Sequence, residues 1–248
     1  MFKRILTPIQ FYVMAISLSL SFVTGCGTTA KFVYPGKMNS LVELDSAPIH
    51  PQKVAVIPFD DCRNDDNQMG TIFLQYVPLM PFGYVDYDRP DAARWFVSID
   101  RFEFSPSEDL AKAAAVSLRR SNLFEDAFFT FGGEKTNADL VLEGKIISTH
   151  YYGRLFSYGL DFAGVYLWFL GAPCGTSSNR LALHLTLKNK AKKIIWEYSF
   201  DRDDYLVQWL YARMGHDAKL YSALMEQAMN EALRDLALKL KNNPQLLK

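Results

Sequence analysis

The sequence has no surplus of charge of either sign: 27 basic and 27 acidic side chains among 248 residues give a formal net charge of zero. Without a basic excess, nucleic acid is not an expected partner. Cysteine is scarce, with only Cys26, Cys62 and Cys174. The four histidines, His50, His150, His184 and His216, are scattered, with no His-Glu-x-x-His arrangement, so no metal site is expected. Gly-x-Ser-x-Gly and a phosphate-binding glycine loop are also missing. No catalytic residue and no bound cofactor follow from the sequence, and the chain is not expected to be an enzyme. Members of a triad need not be neighbours in sequence, so a cell-wall-active enzyme remains as the least favoured class. Internal repeats, heptad runs and low-complexity tracts are absent.

What is present begins with a three-part N-terminal segment. Lys3 and Arg4 are basic, Phe11 to Val23 is apolar, and the small residues Thr24 and Gly25 lead directly to Cys26. The apolar run is too short to cross a ~30 Å hydrocarbon core as a helix. Val23-Thr24-Gly25-Cys26 resembles the lipobox of bacterial lipoproteins. That resemblance implies cleavage before Cys26, a diacylglycerol on its sulfur and an acyl group on its new amine. At about 0.8 kcal/mol per buried CH₂, such chains hold a protein on a bilayer almost permanently. The competing reading is an ordinary secretory signal followed by a coincidental cysteine. Gly27 stands where an Asp would resemble an inner-membrane retention signal, which favours the periplasmic face of the outer membrane over the inner membrane.

The expected organisation is a cleaved signal peptide over 1–25, a lipidated tether over 26–52 and a periplasmic domain over 53–248. Cleavage removes Lys3 and Arg4, leaving 223 residues with 25 basic and 27 acidic side chains. Lys53 to Phe59 reads as a buried strand. The acidic loop Asp60–Asn67 lacks calcium-site order and reads as a solvated turn. Residues 70–92, broken by Pro78, Pro81, Gly83 and Pro90, read as an irregular excursion. Trp95 to Phe104 reads as a strand. Ser105-Pro106-Ser107-Glu108 is a capping box opening a helix to about Ser121. Strands follow at Phe124–Phe131 and Ala138–Ile146. A hairpin pairs Leu181–Leu187 with Ile195–Phe200, and an amphipathic helix runs from about Ala218 to Lys241.

These elements specify an α/β (α+β) domain: a single mixed sheet of about four to six strands with two main helices packed on it, one central and one C-terminal. The order resembles the small domain of periplasmic lipoproteins of the curli-secretion type. The N-terminal domain of the Tol–Pal translocation protein and the lipoprotein activators of peptidoglycan synthases are similar to it. Val54-Ala55-Val56-Ile57-Pro58-Phe59 and Ala138-Asp139-Leu140-Val141-Leu142-Glu143-Gly144 carry the resemblance. It covers roughly residues 53–241, with insertions at 66–104 and 151–178.

Two features remain. Cys62 and Cys174 are the only thiols left after lipidation, and a disulfide between them would close a loop of about 110 residues, worth ~4–5 kcal/mol in the chain-entropy model. Two separate thiols are the alternative. Leu155 to Ala172 carries one charge, Asp161, and the rings of Phe156, Tyr158, Phe162, Tyr166, Trp168 and Phe169. As a helix it would be apolar all round, so it must be buried in its own domain, between subunits or in lipid. These six residues are the candidate interaction surface. The expected function is a non-enzymatic adaptor or assembly factor, anchored to the membrane by lipid and binding an envelope protein. The alternative is a homo-oligomeric ring or export component whose aromatic insertion contacts the membrane.

Overall fold

The computed structural model describes residues 29–36, 41–44, 49–68, 72–93, 96, 99, 101–132 and 137–247. Their strands are β1 (Thr29–Lys31), β2 (His50–Val56), β3 (Asp60–Asp61), β4 (Asn67–Gln68), β5 (Phe82–Tyr87) and β6 (Arg101–Glu103). After helix α1 (Pro106–Arg120) come β7 (Phe124–Phe129), β8 (Leu140–Ser148) and β9 (Tyr151–Phe156). A short helix, α2 (Gly164–Phe169), precedes β10 (Pro173–Asn189) and β11 (Ile194–Trp209), and α3 (Lys219–Asn242) follows them.

The hairpin of β10 and β11 organises everything else. Its register runs from Pro173 opposite Trp209 to Lys188 opposite Ile194. Along its other edge, β10 pairs first with β9, Gly175 opposite Leu155, and then with β8, Ala182 opposite Ser148. Thus β8 and β9 form one long strand broken at Thr149 and His150. At the β8 half the sheet continues through parallel β2 and β7. At the β9 half it continues antiparallel through β5 and β4.

The expected sheet of four to six strands is therefore corrected to a nine-stranded mixed sheet plus a separate two-stranded one, β1 with β6. Three features hid the extra strands. The first part of β10, Cys174-Gly175-Thr176-Ser177-Ser178-Asn179, has a turn-like composition. It is nevertheless held on both edges by β9 and β11, so its backbone is paired whatever its side chains prefer. In β11, Asp201-Arg202-Asp203-Asp204 breaks the apolar alternation because these residues face water. In β5, the prolines read as interruptions stand outside the strand: Pro81 precedes it and Pro90 follows it. Trp95–Phe104, expected as one strand, contributes only β6 among the described residues.

Leu181, Leu183, Leu185 and Leu187 alternate on one face of β10 and are buried. With Trp196, Phe200 and Leu142 they meet Leu224, Met225, Leu236 and Leu240 of α3. Leu110, Ala113, Ala114, Ser117 and Leu118 of α1 are likewise buried. The opposite face, with Glu143, His184, Lys188, Glu197 and Ser199, carries cross-strand polar pairs, as one-sided antiparallel sheets do. The helix starts differ in detail from the sequence reading. The Ser105 side chain makes no cap, and Asp109 rather than Glu108 reaches back to accept the Ser105 N–H at 2.7 Å.

A buried polar cluster fills the break between β8 and β9. The Arg63 guanidinium donates to both oxygens of Asp61 at 2.8 Å and to the Thr149 hydroxyl at 2.7 Å, and it also pairs with Asp91. Arg89 pairs with Asp61 and Asp65, so two of the loop's acids are neutralised by arginines. The Tyr221 hydroxyl donates to the Thr149 carbonyl, and the Tyr151 hydroxyl donates to the buried Asp217. Asp217, two residues before the start of α3, is thus held inside the core.

Candidate functional site: an aromatic cap

The end of the ribbon where β5, β9, β10 and β11 meet is covered by two segments that carry almost no charge. One is the 3₁₀ turn Ile72–Tyr76 with residues 77–81. The other is residues 157–172, including α2. Residues 72–83 have no ionisable acid or base apart from the phenol of Tyr76. The two segments are tied by backbone: Leu79 N donates to Gly159 O, and Ser157 N and Tyr158 N both donate to Pro81 O. The Ser157 hydroxyl adds a bond to Met80 O at 2.6 Å. Gly164 is required at the start of α2, because a Cβ there would lie 2.1 Å from the Ser157 carbonyl oxygen.

The polar handles of two cap aromatics point inward. Trp168 Nε1 donates to Phe156 O at 3.0 Å and Tyr158 OH to Pro173 O at 2.6 Å. The apolar parts are left outside: Leu79 is 89% exposed, Leu170 82%, Tyr166 72% and Phe162 66%. Tyr76 stacks on Phe162 with centroids 4.6 Å apart, joining the two segments into one surface. Tyr211, in the turn after β11, extends it by donating to Phe169 O at 3.3 Å. Exposed apolar side chains on both segments make this end a candidate interaction surface.

Of the six candidate residues, Phe162, Tyr166, Phe169 and Tyr158 are exposed on the cap, whereas Phe156 and Trp168 are half-buried and support it. The sequence reading missed Phe73, Tyr76, Val77, Leu79 and Met80, all exposed. The signal was the absence of any charge across 72–83, which reading that stretch only for its prolines passed over.

Cys26 lies outside the described residues. The structure does not bring Cys62 and Cys174 together, and both are free thiols. Cys62 N donates to Ile146 O, while Cys174 adjoins Gly175, which pairs with Leu155. That places them about nine residues apart along the β8–β9 strand, roughly 30 Å at ~3.3 Å per residue. A disulfide needs Cα atoms within ~7 Å, so the expected bridge gives way to its alternative. Burial pushes the Cys174 thiol up, which keeps it protonated and unreactive.

One constellation has the connectivity of a hydrolytic relay: His184 Nδ1 lies 2.9 Å from Ser199 Oγ and Nε2 lies 3.6 Å from Glu197. It sits on the solvated sheet face, where His184 belongs to a strand paired on both edges. Such backbone amides are committed to the ladder and offer no oxyanion hole. Among the described residues, no group of His, Cys, Asp and Glu is placed to hold a metal ion.

No protein-family model matches the chain, and no curated protein matches it. Among solved structures, a Xanthomonas campestris protein of the family DUF330 is similar in fold with a TM-score of 0.43 and 10% identity, over 88% of this chain and 99% of that one. A PelC variant from Paraburkholderia phytofirmans, solved as a dodecamer, has a TM-score of 0.37 and 13% identity, over 74% of this chain and 90% of that one. Both likenesses are distant, and neither confirms the curli-secretion, Tol–Pal or synthase-activator resemblance.

Proposed function

We propose that the protein is a lipid-anchored, non-enzymatic adaptor or assembly factor of the cell envelope, held through Cys26 at the periplasmic face of the outer membrane. The aromatic cap is the surface with which it works. The observation that supports this reading is the exposure of Leu79, Phe162, Tyr166 and Leu170 on segments fixed by backbone hydrogen bonds to the sheet. Interfaces concentrate their energy on such aromatic anchors, and a surface held this rigidly loses little entropy on binding. A photo-reactive side chain at position 166 or 79 is expected to give adducts in intact cells, and one at position 190, on the far hairpin turn, is not. Equal, low yields at all three positions would refute the reading.

A ring or export component is the second reading. The outer edge of β11 pairs with no other strand among the described residues, which leaves room for a neighbouring copy. The run Asp201-Arg202-Asp203-Asp204 along that edge opposes strand addition, so the adaptor is preferred. The mass of the protein in detergent separates the two: a single chain supports the adaptor, a multiple of it the ring.

A further inference from the structure

We infer that the occupant of the aromatic cap is the surface of a lipid bilayer, the same one in which the Cys26 lipid is embedded. This rests on the reading of the cap as a working surface and names what it meets.

The path of the N-terminal segment carries the argument. Strand β1 runs parallel to β6, with Thr29 beside Arg101 and Lys31 beside Glu103. Two residues upstream of Arg101, Ile99 lies against the turn after β11, where a Cβ on Gly215 would sit 3.7 Å from Ile99 Cγ2. Gly215 N in turn donates to Gln208 near the end of β11. The same turn holds Tyr211, whose hydroxyl reaches Phe169 in the cap. Followed backward from Lys31 to Thr29, the chain therefore heads toward the cap end of the ribbon. Only Gly27 and Thr28 separate Thr29 from Cys26, three steps along the chain and a reach of at most ~10 Å. A lipid on Cys26 then turns this end toward the bilayer, and a protein partner on the cap would have to fit between the domain and the membrane.

The chemistry of the cap agrees with that placement. Tyr166, Tyr211 and Trp168 are residue types that settle at the membrane–water boundary. Arg213 is exposed beside the cap segments, and Arg154, also exposed, is held over the Phe82 and Tyr152 rings with its Nε donating to the Tyr152 hydroxyl; neither forms an ion pair among the described residues, so each can meet an anionic headgroup. The contact is shallow. Helix α2 has six residues, and no helix of the described residues is long and apolar enough to cross a membrane. Asp161, only partly exposed, would be costly at depth and sets a limit on insertion.

The test uses the lipidated full chain in vesicles of phosphatidylethanolamine and phosphatidylglycerol. Cys62→Ser removes the exposed thiol, and Tyr166→Cys or Lys190→Cys provides one site for an environment-sensitive fluorophore, Cys174 being buried. Unfolding midpoints matching the parent establish that both variants fold. The label at 166 is expected to be quenched by doxyl-phospholipid and shielded from aqueous iodide, with the reverse at 190. A label at 166 shielded from iodide yet untouched by doxyl lipid means that a second copy covers the cap; the bilayer proposal falls while the cap remains a working surface. A label at 166 as open to iodide as that at 190 also overturns it. If crosslinks from 166 are absent in cells as well, the reading of the cap falls with it.

Discussion

Arg63→Ala is expected to lower the unfolding free energy by about 2–3 kcal/mol, because the part-exposed carboxylates of Asp61 and Asp91 and the buried Thr149 hydroxyl lose the charged donor they share. Against a total stability of ~5–15 kcal/mol for a domain, that is a substantial fraction. The Arg63 side chain is 2% exposed and joins the 60–68 loop, the 88–92 segment and the break between β8 and β9 through Asp61, Asp91 and Thr149. Arg63→Lys rescues little, since a point charge cannot make the forked contacts. The same cluster sets an acid limit. The hydrogen bond from Arg63, chiefly, holds the Asp61 carboxyl down at about 2, below its usual value of 3.8. Its folded-state pKa being the lower, its contribution is complete above about pH 4 and is lost as the pH falls toward 2. A urea midpoint measured against pH should show this acid limb in the parent and a flatter one in Arg63→Ala. An unchanged midpoint at neutral pH would mean that the cluster does not hold the two wings together.

Gly144→Ala is expected to cost about 1–3 kcal/mol through overpacking. A Cβ on Gly144 would lie 2.6 Å from the ring of Phe59, which is buried and cannot swing away because its own backbone is bonded to Ser107 on both sides. The two short motifs that carry the family resemblance therefore meet physically: the last residue of one lies across the last residue of the other. Adding Phe59→Leu should recover part of the loss, and a thermal melt of the double variant reads that coupling directly. Simple additivity of the two losses would remove the contact as the explanation.

How far the sequence disclosed these features depended on whether local pattern or distant pairing decided them. Helices α1 and α3 were legible because their buried residues repeat at helical spacing, and Pro106 marks the first start. Asn122, two residues beyond the end of α1, adopts a positive φ of 54°. Strands β2 and β8 were legible as apolar runs. The polar halves of β10 and β11 were not, since pairing partners rather than their own composition make them strands. For the same reason β9, β5 and β1 with its pairing to β6 were missed, and a nine-stranded sheet was read as one of four to six strands. The cap was half legible: 155–172 stood out by its rings, while 72–80 joins it only through Pro81, Gly159 and the stacking of Tyr76 on Phe162. The position of Thr29 relative to the cap depends on the β1–β6 pairing, which no local signal announces.

The central claim, that the cap is a working surface on a domain that folds without its side chains, is tested most directly by Phe162→Ser/Tyr166→Ser. The measurement is the crosslink yield in cells from a photo-reactive side chain at position 79, read beside the unfolding midpoint of the same purified variant. Both replaced rings are largely exposed, so the midpoint should stay within about 0.5 kcal/mol of the parent while the adducts disappear. A loss of about 3–5 kcal/mol, the scale of a buried aromatic, with adducts undiminished would contradict it and return the segment to the core.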